Sequence, residues 1–300
     1  MRWDDFRRSE NVEDRRDSDG SDGGGISMGG GGIGIGGLII VGLISWALGI
    51  DPRILIGGLE MVQGPGQQQQ SPVPTGRAGA PADQQGQFIA AVLGDSEDRW
   101  VEIFRQELGR NYQAPRLVIF RGATRSGCGF AQAAMGPFYC PQDQRVYLDT
   151  SFFADLERRF RGCTGKACQF SQAYVITHEI GHHIQNILGI LPRVQQAQAR
   201  MSERERNALQ VRVELQADCY AGVWANRSQQ KWNFLEPGDI EAALQTASAI
   251  GDDRLQQRGR GFVVPDSFTH GSSAQRVQWF QTGFKSGSMK SCDTFGQGTS

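Results

Sequence analysis

Residues 175–188 read VITHEIGHHIQNIL and place three of the chain's four histidines within six positions. His178, Glu179 and His182 form H-E-x-x-H, and the chemistry of that pattern requires a helix. At 3.6 residues per turn, positions i and i+4 lie on one face, about 40° apart around the axis, so two imidazoles there can reach one zinc ion. Glu179, displaced by one residue, can reach a zinc-bound water rather than the metal. Ile176, Ile180, Ile184 and Ile187 line the opposite side, which gives the helix an apolar face for a core and a chemical face for a site. His183 lies about 140° from His178 and flanks the apolar side. It reads as a packing or hydrogen-bonding histidine, not a ligand.

A catalytic zinc site takes three protein ligands and leaves a fourth position open. The stretch VRVELQADCYAG supplies Glu214 and Asp218, again at i and i+4. Pro192 breaks the preceding pattern, and Ser202 with Glu205 forms a capping box that starts a new helix. An antiparallel return would bring Glu214 to the histidine pair. Asp218, one turn on, would accept from a ligand imidazole N–H and fix its tautomer. The rival reading is a solvated acidic face. Against it, Leu215, Ala217, Cys219, Tyr220, Ala221, Val223 and Trp224 make this an apolar, buried helix, where carboxylates need a cation. His270, in DSFTHGSSAQRVQWF, sits in a loop before a helix. It reads either as a donor to the oxyanion of a tetrahedral intermediate or as a surface loop histidine.

The rest of the chain is uneven. Residues 1–22 carry five arginines against eight acids and almost no apolar residue. That composition predicts disorder, and the segment 1–32 is read as a charged and then Gly-rich cytoplasmic tail. From Gly23 to Ile50 there is no charge, and Ile33 to Ile50 is long enough for one membrane-spanning helix. Arginines concentrate before it, so the positive-inside rule places the N-terminus in the cytoplasm and the bulk of the chain outside, in the periplasm or beyond. A cleaved signal peptide and a flexible linker are the competing readings of that run. Residues 51–86 are rich in Pro, Gly and Gln and read as a polar linker.

The folded domain is expected over residues 87–300. QFIAAVL and SEDRWVEIFRQEL read as two short helices, the second capped by Asp95 or Ser96. PRLVIFRG and RVYLD read as strands, and helices follow from SFFADLERRF onward. The fold class is therefore α+β, mostly helical with a small early sheet. Six cysteines, all in this region, point to disulfides and an oxidising compartment; buried free thiols are the alternative. Six allow fifteen pairings, and Cys128–Cys140, Cys163–Cys168 and Cys219–Cys292 are the expected set. A net charge of −1 gives no sign of a nucleic-acid partner.

Five stretches together resemble one family: MRWDDFRRSENVEDRR, HEIGHHIQNILGI, RVELQADCYAGVWA, LEPGDIEAALQTASAIGDDRLQ and THGSSAQRVQWFQTGF. The chain is similar to the YpfJ-like neutral zinc metallopeptidases, bacterial membrane-anchored proteins. The resemblance implies a zincin fold of the gluzincin kind, with Zn2+ held by His178, His182 and Glu214 and Glu179 as general base. It implies a protein or peptide substrate and attachment to the inner membrane through one N-terminal helix. It leaves two rivals open: a tethered zinc-stabilised binding protein that cleaves nothing, and a zinc hydrolase acting on a non-peptide amide.

Overall fold

The computed structural model describes residues 1–17, 76–132, 136–158 and 168–296. The hydrophobic run Leu117–Phe120 explains the centre of the sheet: all four side chains are fully buried, as expected of a strand paired on both sides. This strand, β3 (Arg116–Phe120), pairs in parallel with β7 (Arg145–Asp149) on one side and with β1 (Val12–Asp14) on the other. A short β2 (Arg77–Ala78) runs antiparallel to β1, and β6 (Phe138–Cys140) runs antiparallel to β7. The order is β2-β1-β3-β7-β6, so β6 is the outermost strand on its side. Side chains alternate as the pleat requires. Leu117 and Ile119 join the main helical core, while Val118 and Phe120 face a second cluster with Phe138 and Tyr147. A separate hairpin of β4 (Ala123–Ser126) and β5 (Gly129–Gln132) lies between β3 and β6 in sequence.

The helices are α1 (Gln84–Ile103), α2 (Phe152–Arg158), α3 (Cys168–Ile187), α4 (Ile190–Gln198), α5 (Glu203–Trp232), α6 (Asp239–Ala249), α7 (Asp252–Arg260) and α8 (Ser273–Ser286). The α+β class and the small sheet are as expected. The Ser202–Glu205 capping box forms and starts α5. Instead of two short helices, residues 84–103 form one helix capped by Asp83. Asp95 is no cap: it is buried, and its carboxylate accepts from the indole N–H groups of Trp224 (2.9 Å) and Trp232 (2.8 Å) on α5. Pro192 does not end the helical path. It sits in the first turn of α4, where its missing N–H costs nothing. The disulfides Cys128–Cys140 and Cys219–Cys292 form as expected. For the third expected pair, Cys163 lies outside the described residues.

The largest correction concerns the N-terminus. Residues 1–17 are not a disordered tail; they are part of the core. Met1, Phe6 and Val12 are buried, and Phe6 packs against Trp232 and Phe234. Trp3 packs edge-on against Phe88 of α1. The backbone crosses α1 at Gly94, where an added Cβ would lie 2.2 Å from the Arg7 carbonyl oxygen. Charge did not prevent folding because the charges that are buried or half-buried find partners within the chain. Arg7 binds Glu97 and Asp98, and Arg16 binds Asp14 and Asp83. Arg15, fully buried, donates to Glu13 Oε1 (2.7 Å), Thr124 Oγ1 (3.2 Å) and the Arg125 carbonyl (2.9 Å). Arg145 closes on the other Glu13 oxygen at 2.9 Å. The domain therefore includes residues 1–17 and 76–86, which the sequence analysis placed in a disordered tail and in a linker. The expected spanning helix, Ile33 to Ile50, lies outside the described residues. Among those described, no helix is long and apolar enough to cross a membrane.

Candidate metal centre

Helices α3 and α5 meet at Gly181 and Ala217. A Cβ on Gly181 would lie 3.0 Å from the Ala217 Cα and 3.1 Å from its carbonyl oxygen, so only glycine allows this approach without displacement. The crossing falls between His178 and His182 on one helix and between Glu214 and Asp218 on the other. Ile176, Ile180 and Ile184 are buried on the far side of α3, and Ile187 is half-buried there, as the spacing predicts.

At the crossing, Glu214 Oε2 lies 3.3 Å from His178 Nε2 and 3.5 Å from His182 Nε2. The three ligand atoms all fall within 4.8 Å of one another. Both Nδ1 atoms are engaged elsewhere. His178 Nδ1 lies 2.8 Å from Asp218 Oδ1, and His182 Nδ1 lies 2.9 Å from Gln185 Oε1. The Gln185 amide cannot be reversed, because its N–H groups donate to the Val213 carbonyl (2.7 Å) and to Gln216 Oε1 (3.1 Å). Gln216 is fixed in turn by donating to the Cys292 carbonyl at 2.9 Å, beside the disulfide. Both imidazoles thus present Nε2 to the carboxylate, the face a metal would use.

Asp218 is anchored by two residues that the sequence reading did not single out. Arg276 of α8 donates to both its oxygens, at 2.8 and 2.9 Å, and the Tyr174 hydroxyl donates at 2.6 Å. Tyr174 stands four residues before His178, so its place on the same face was readable from spacing. Arg276 carries no such signal in the sequence. All of these groups are buried or nearly so.

The electrostatics follow from this packing. Burial opposes a charged His178, but Asp218 and Glu214 outweigh it and push the imidazole up to about 10. His182 is raised too, with Glu214 overcoming its burial. Burial acts against the Asp218 carboxylate, yet Arg276 and His178 hold it down to about 2. Glu214 lies well below the usual carboxylate range, because the two imidazoles outweigh its desolvation. The crossing therefore demands positive charge, supplied by protons or by a metal ion. Two imidazoles and one carboxylate converging on a point are a known catalytic zinc donor set. That convergence is the fit of residues to metal.

Glu179 is buried next to the pair. His183 is no ligand: it is fully buried, donates from Nε2 to the Gln113 carbonyl at 2.6 Å and accepts from the Tyr139 hydroxyl at 3.1 Å. Burial lowers it to about 4 and keeps it neutral.

His270 sits in a loop that packs on α5 at Val211 and Leu215, with Gly271 against both. Asp252 organises this loop. Its Oδ2 accepts the backbone N–H groups of Thr269 (2.7 Å), His270 (2.6 Å) and Gly271 (3.0 Å), and its Oδ1 lies 3.3 Å from His270 Nδ1. Half of the His270 side chain is exposed. Desolvation lowers its affinity for a proton, but the Asp252 bond outweighs it and the ring is raised overall. Its positive form also helps to depress Glu214. Asp252 was missing from the sequence reading, which had no reason to pair it with a residue 18 positions on.

The family comparison fits this donor set. Residues 1–295 match the family described as "Putative neutral zinc metallopeptidase". The chain belongs to that family. It is 50% identical to the uncharacterized protein YpfJ of Escherichia coli (strain K12) over 299 residues, 99% of each chain. It is 42% identical to the uncharacterized protein Rv2575 of Mycobacterium tuberculosis over 230 residues, 73% of this chain and 74% of the other. No solved structure matches. The family match begins at residue 1, so it includes the strand β1 that the sequence reading left out of the domain.

Proposed function

We propose that this protein is a zinc-dependent peptidase that hydrolyses peptide bonds at the α3–α5 crossing. The observation that carries the reading is the convergence of His178 Nε2, His182 Nε2 and Glu214 Oε2, with both Nδ1 atoms tied back and Glu179 buried beside them. Zinc bound there supplies a Lewis acid that polarises a carbonyl and acidifies a water. The remaining work falls to the chain's own residues. Glu179 takes the proton from the attacking water and passes it to the leaving amine. His270, steadied by Asp252, donates to the developing oxyanion. Asp218, clamped by Arg276 and Tyr174, holds the His178 ring, and Gln185 holds that of His182.

A peptide in extended form suits the outer edge of β6, where pairing with backbone groups needs no particular side chain. Tyr139 of β6 bonds His183 and, at 2.9 Å, Asn186 of α3, so the edge is fastened to the helix that bears the motif.

Glu179→Gln separates binding from chemistry. The variant is expected to hold zinc like the wild type and to lose cleavage of an unfolded protein substrate by about 10²–10⁴-fold, the contribution of a positioned general base. His178→Ala should lose both. Unchanged cleavage in Glu179→Gln would remove this mechanism.

A further inference from the structure

The two histidines of the metal centre are held in different ways. His178 leans on the Asp218 carboxylate, which Arg276 neutralises. His182 leans on a series of neutral amides. Its Nδ1–H donates to Gln185 Oε1 at 2.9 Å, the Gln185 amide donates to Gln216 Oε1 at 3.1 Å, and the Gln216 amide donates to the Cys292 carbonyl at 2.9 Å. Every bond runs in the same direction, so each amide polarises the next. Gln185, Gln216 and Cys292 are buried, which makes an unmet donor or acceptor in the series costly. The second Gln185 N–H goes to the Val213 carbonyl at 2.7 Å, so Gln216 supplies one of the two acceptors that orient Gln185.

The series ends on a short segment. Met289–Cys292 is a single 3₁₀ turn, too short to keep its shape unaided. Gln216, Met289 and Cys292 also line a cavity of about 470 Å³ with Val194 and Phe295, so the turn is not packed from every side. The Cys219–Cys292 disulfide ties it to α5, and Thr294 Oγ1 adds a bond to the Arg212 carbonyl at 2.7 Å. Cys219 stands three residues after Gln216, about one helical turn. The covalent bond therefore fixes the Cys292 carbonyl where the Gln216 amide meets it.

We propose that Gln216 and the Cys219–Cys292 disulfide are positioning groups for the zinc ligand His182, and that the site reaches its full zinc affinity only with that bond in place. The inference rests on the zinc reading of the site and not on peptide cleavage. A direct hydrogen-bond partner of a metal-bound imidazole is worth about 10–100-fold in affinity. A group one bond further back should be worth about 10-fold, the low end of that range.

The test compares three full-chain variants with the wild type. They are Gln216→Met, Cys219→Ser with Cys292→Ser, and, as a control, Cys128→Ser with Cys140→Ser, which cuts the disulfide between the β4–β5 hairpin and β6. Zinc affinity is read by competition with a chelator. The His182 Nδ1–H of the zinc-loaded protein is followed by nitrogen-15 NMR through its exchange with water. Gln216→Met and the Cys219/Cys292 variant should each weaken zinc binding about 10-fold and speed that exchange. The control should change neither. Wild-type affinity and exchange in Gln216→Met would overturn the relay; that variant keeps every cross-link, so it decides the matter even where the cysteine variant fails to fold. Wild-type values in a folded Cys219/Cys292 variant would overturn the part given to the disulfide. An equal fall in the control would also overturn the proposal, by assigning the effect to general loosening of the fold. A wild type that binds no zinc would bring down the zinc reading itself, and the relay with it.

Discussion

Two regions of this molecule bury charged groups, and they settle them in opposite ways. At β1, the buried charges meet opposite charges from the same chain: Glu13 lies between Arg15 and Arg145, and Asp14 holds Arg16. At the α3–α5 crossing, Asp218 is neutralised by Arg276, but Glu214 faces two imidazole Nε2 atoms whose rings are already fixed from behind. The first arrangement is self-sufficient and asks for nothing further. The second gathers acceptors on one point and is complete only with a proton or a metal cation. Buried charge alone does not mark a site; converging lone pairs with no cationic side chain between them do.

The sharpest way to break this contrast is Arg276→Met. It removes the cation from a fully buried carboxylate and, among the described residues, leaves Asp218 with Tyr174 and His178. Removing one partner of a buried pair costs about 3–5 kcal/mol, which urea unfolding would register. The loss should reach the ligand as well: zinc affinity, read by competition with a chelator, is expected to fall about 10–100-fold. Adding Asp218→Asn should restore part of the stability, since the uncompensated charge is gone, but not the affinity, since His178 has lost its anionic anchor. Stability and affinity recovering together in the double variant would mean that Arg276 serves packing alone.

Arg15→Met applies the same operation to the self-sufficient region, with a smaller effect expected. Glu13 keeps Arg145, so the cost is about 2 kcal/mol, the value of a hydrogen bond to a charged group. Zinc affinity should not change. A drop in affinity comparable to that of Arg276→Met would show that the two regions are coupled and that the contrast is wrong.

How far each region could be read from sequence follows the same division. Helix α3 was legible because periodicity is a local property: His178, Glu179, His182 and the isoleucines declare both its faces, and Ser202 with Glu205 declares the start of α5. Glu214 and Asp218 were found by asking what a buried carboxylate needs. β1 was not legible, because composition counts charges without seeing their partners, and Arg145 and Thr124 lie more than a hundred residues away. Asp95 was taken for a helix cap for the same reason. Its partners, Trp224 and Trp232, belong to another helix. Arg276 acts through the packing of α8 onto α5, and Asp252 through the return of the 269–271 loop to the start of α7, contacts that local sequence does not show.

The smallest effect concerns pH and tests whether the N-terminal segment is held by its ion pairs. Arg16 holds Asp83 down to about 2, with desolvation opposing and the Gly86 N–H assisting. A carboxylate depressed on folding contributes stability above its unfolded value of about 4, and that contribution is lost as pH falls toward the folded value. Glu13 and Asp14 are lowered as well, in each case because arginine partners outweigh burial. Amide protection of residues 12–16 is therefore expected to weaken between about pH 4 and 2, apart from the intrinsic change in exchange chemistry. In Asp83→Asn this dependence should be shallower, with little change at neutral pH, because the Asp83 side chain is about half exposed and its pair with Arg16 is worth little there. An identical pH profile in the variant would assign the docking of β1 to Phe6, Val12 and the strand ladder, with the arginines tolerated in the fold but not holding it.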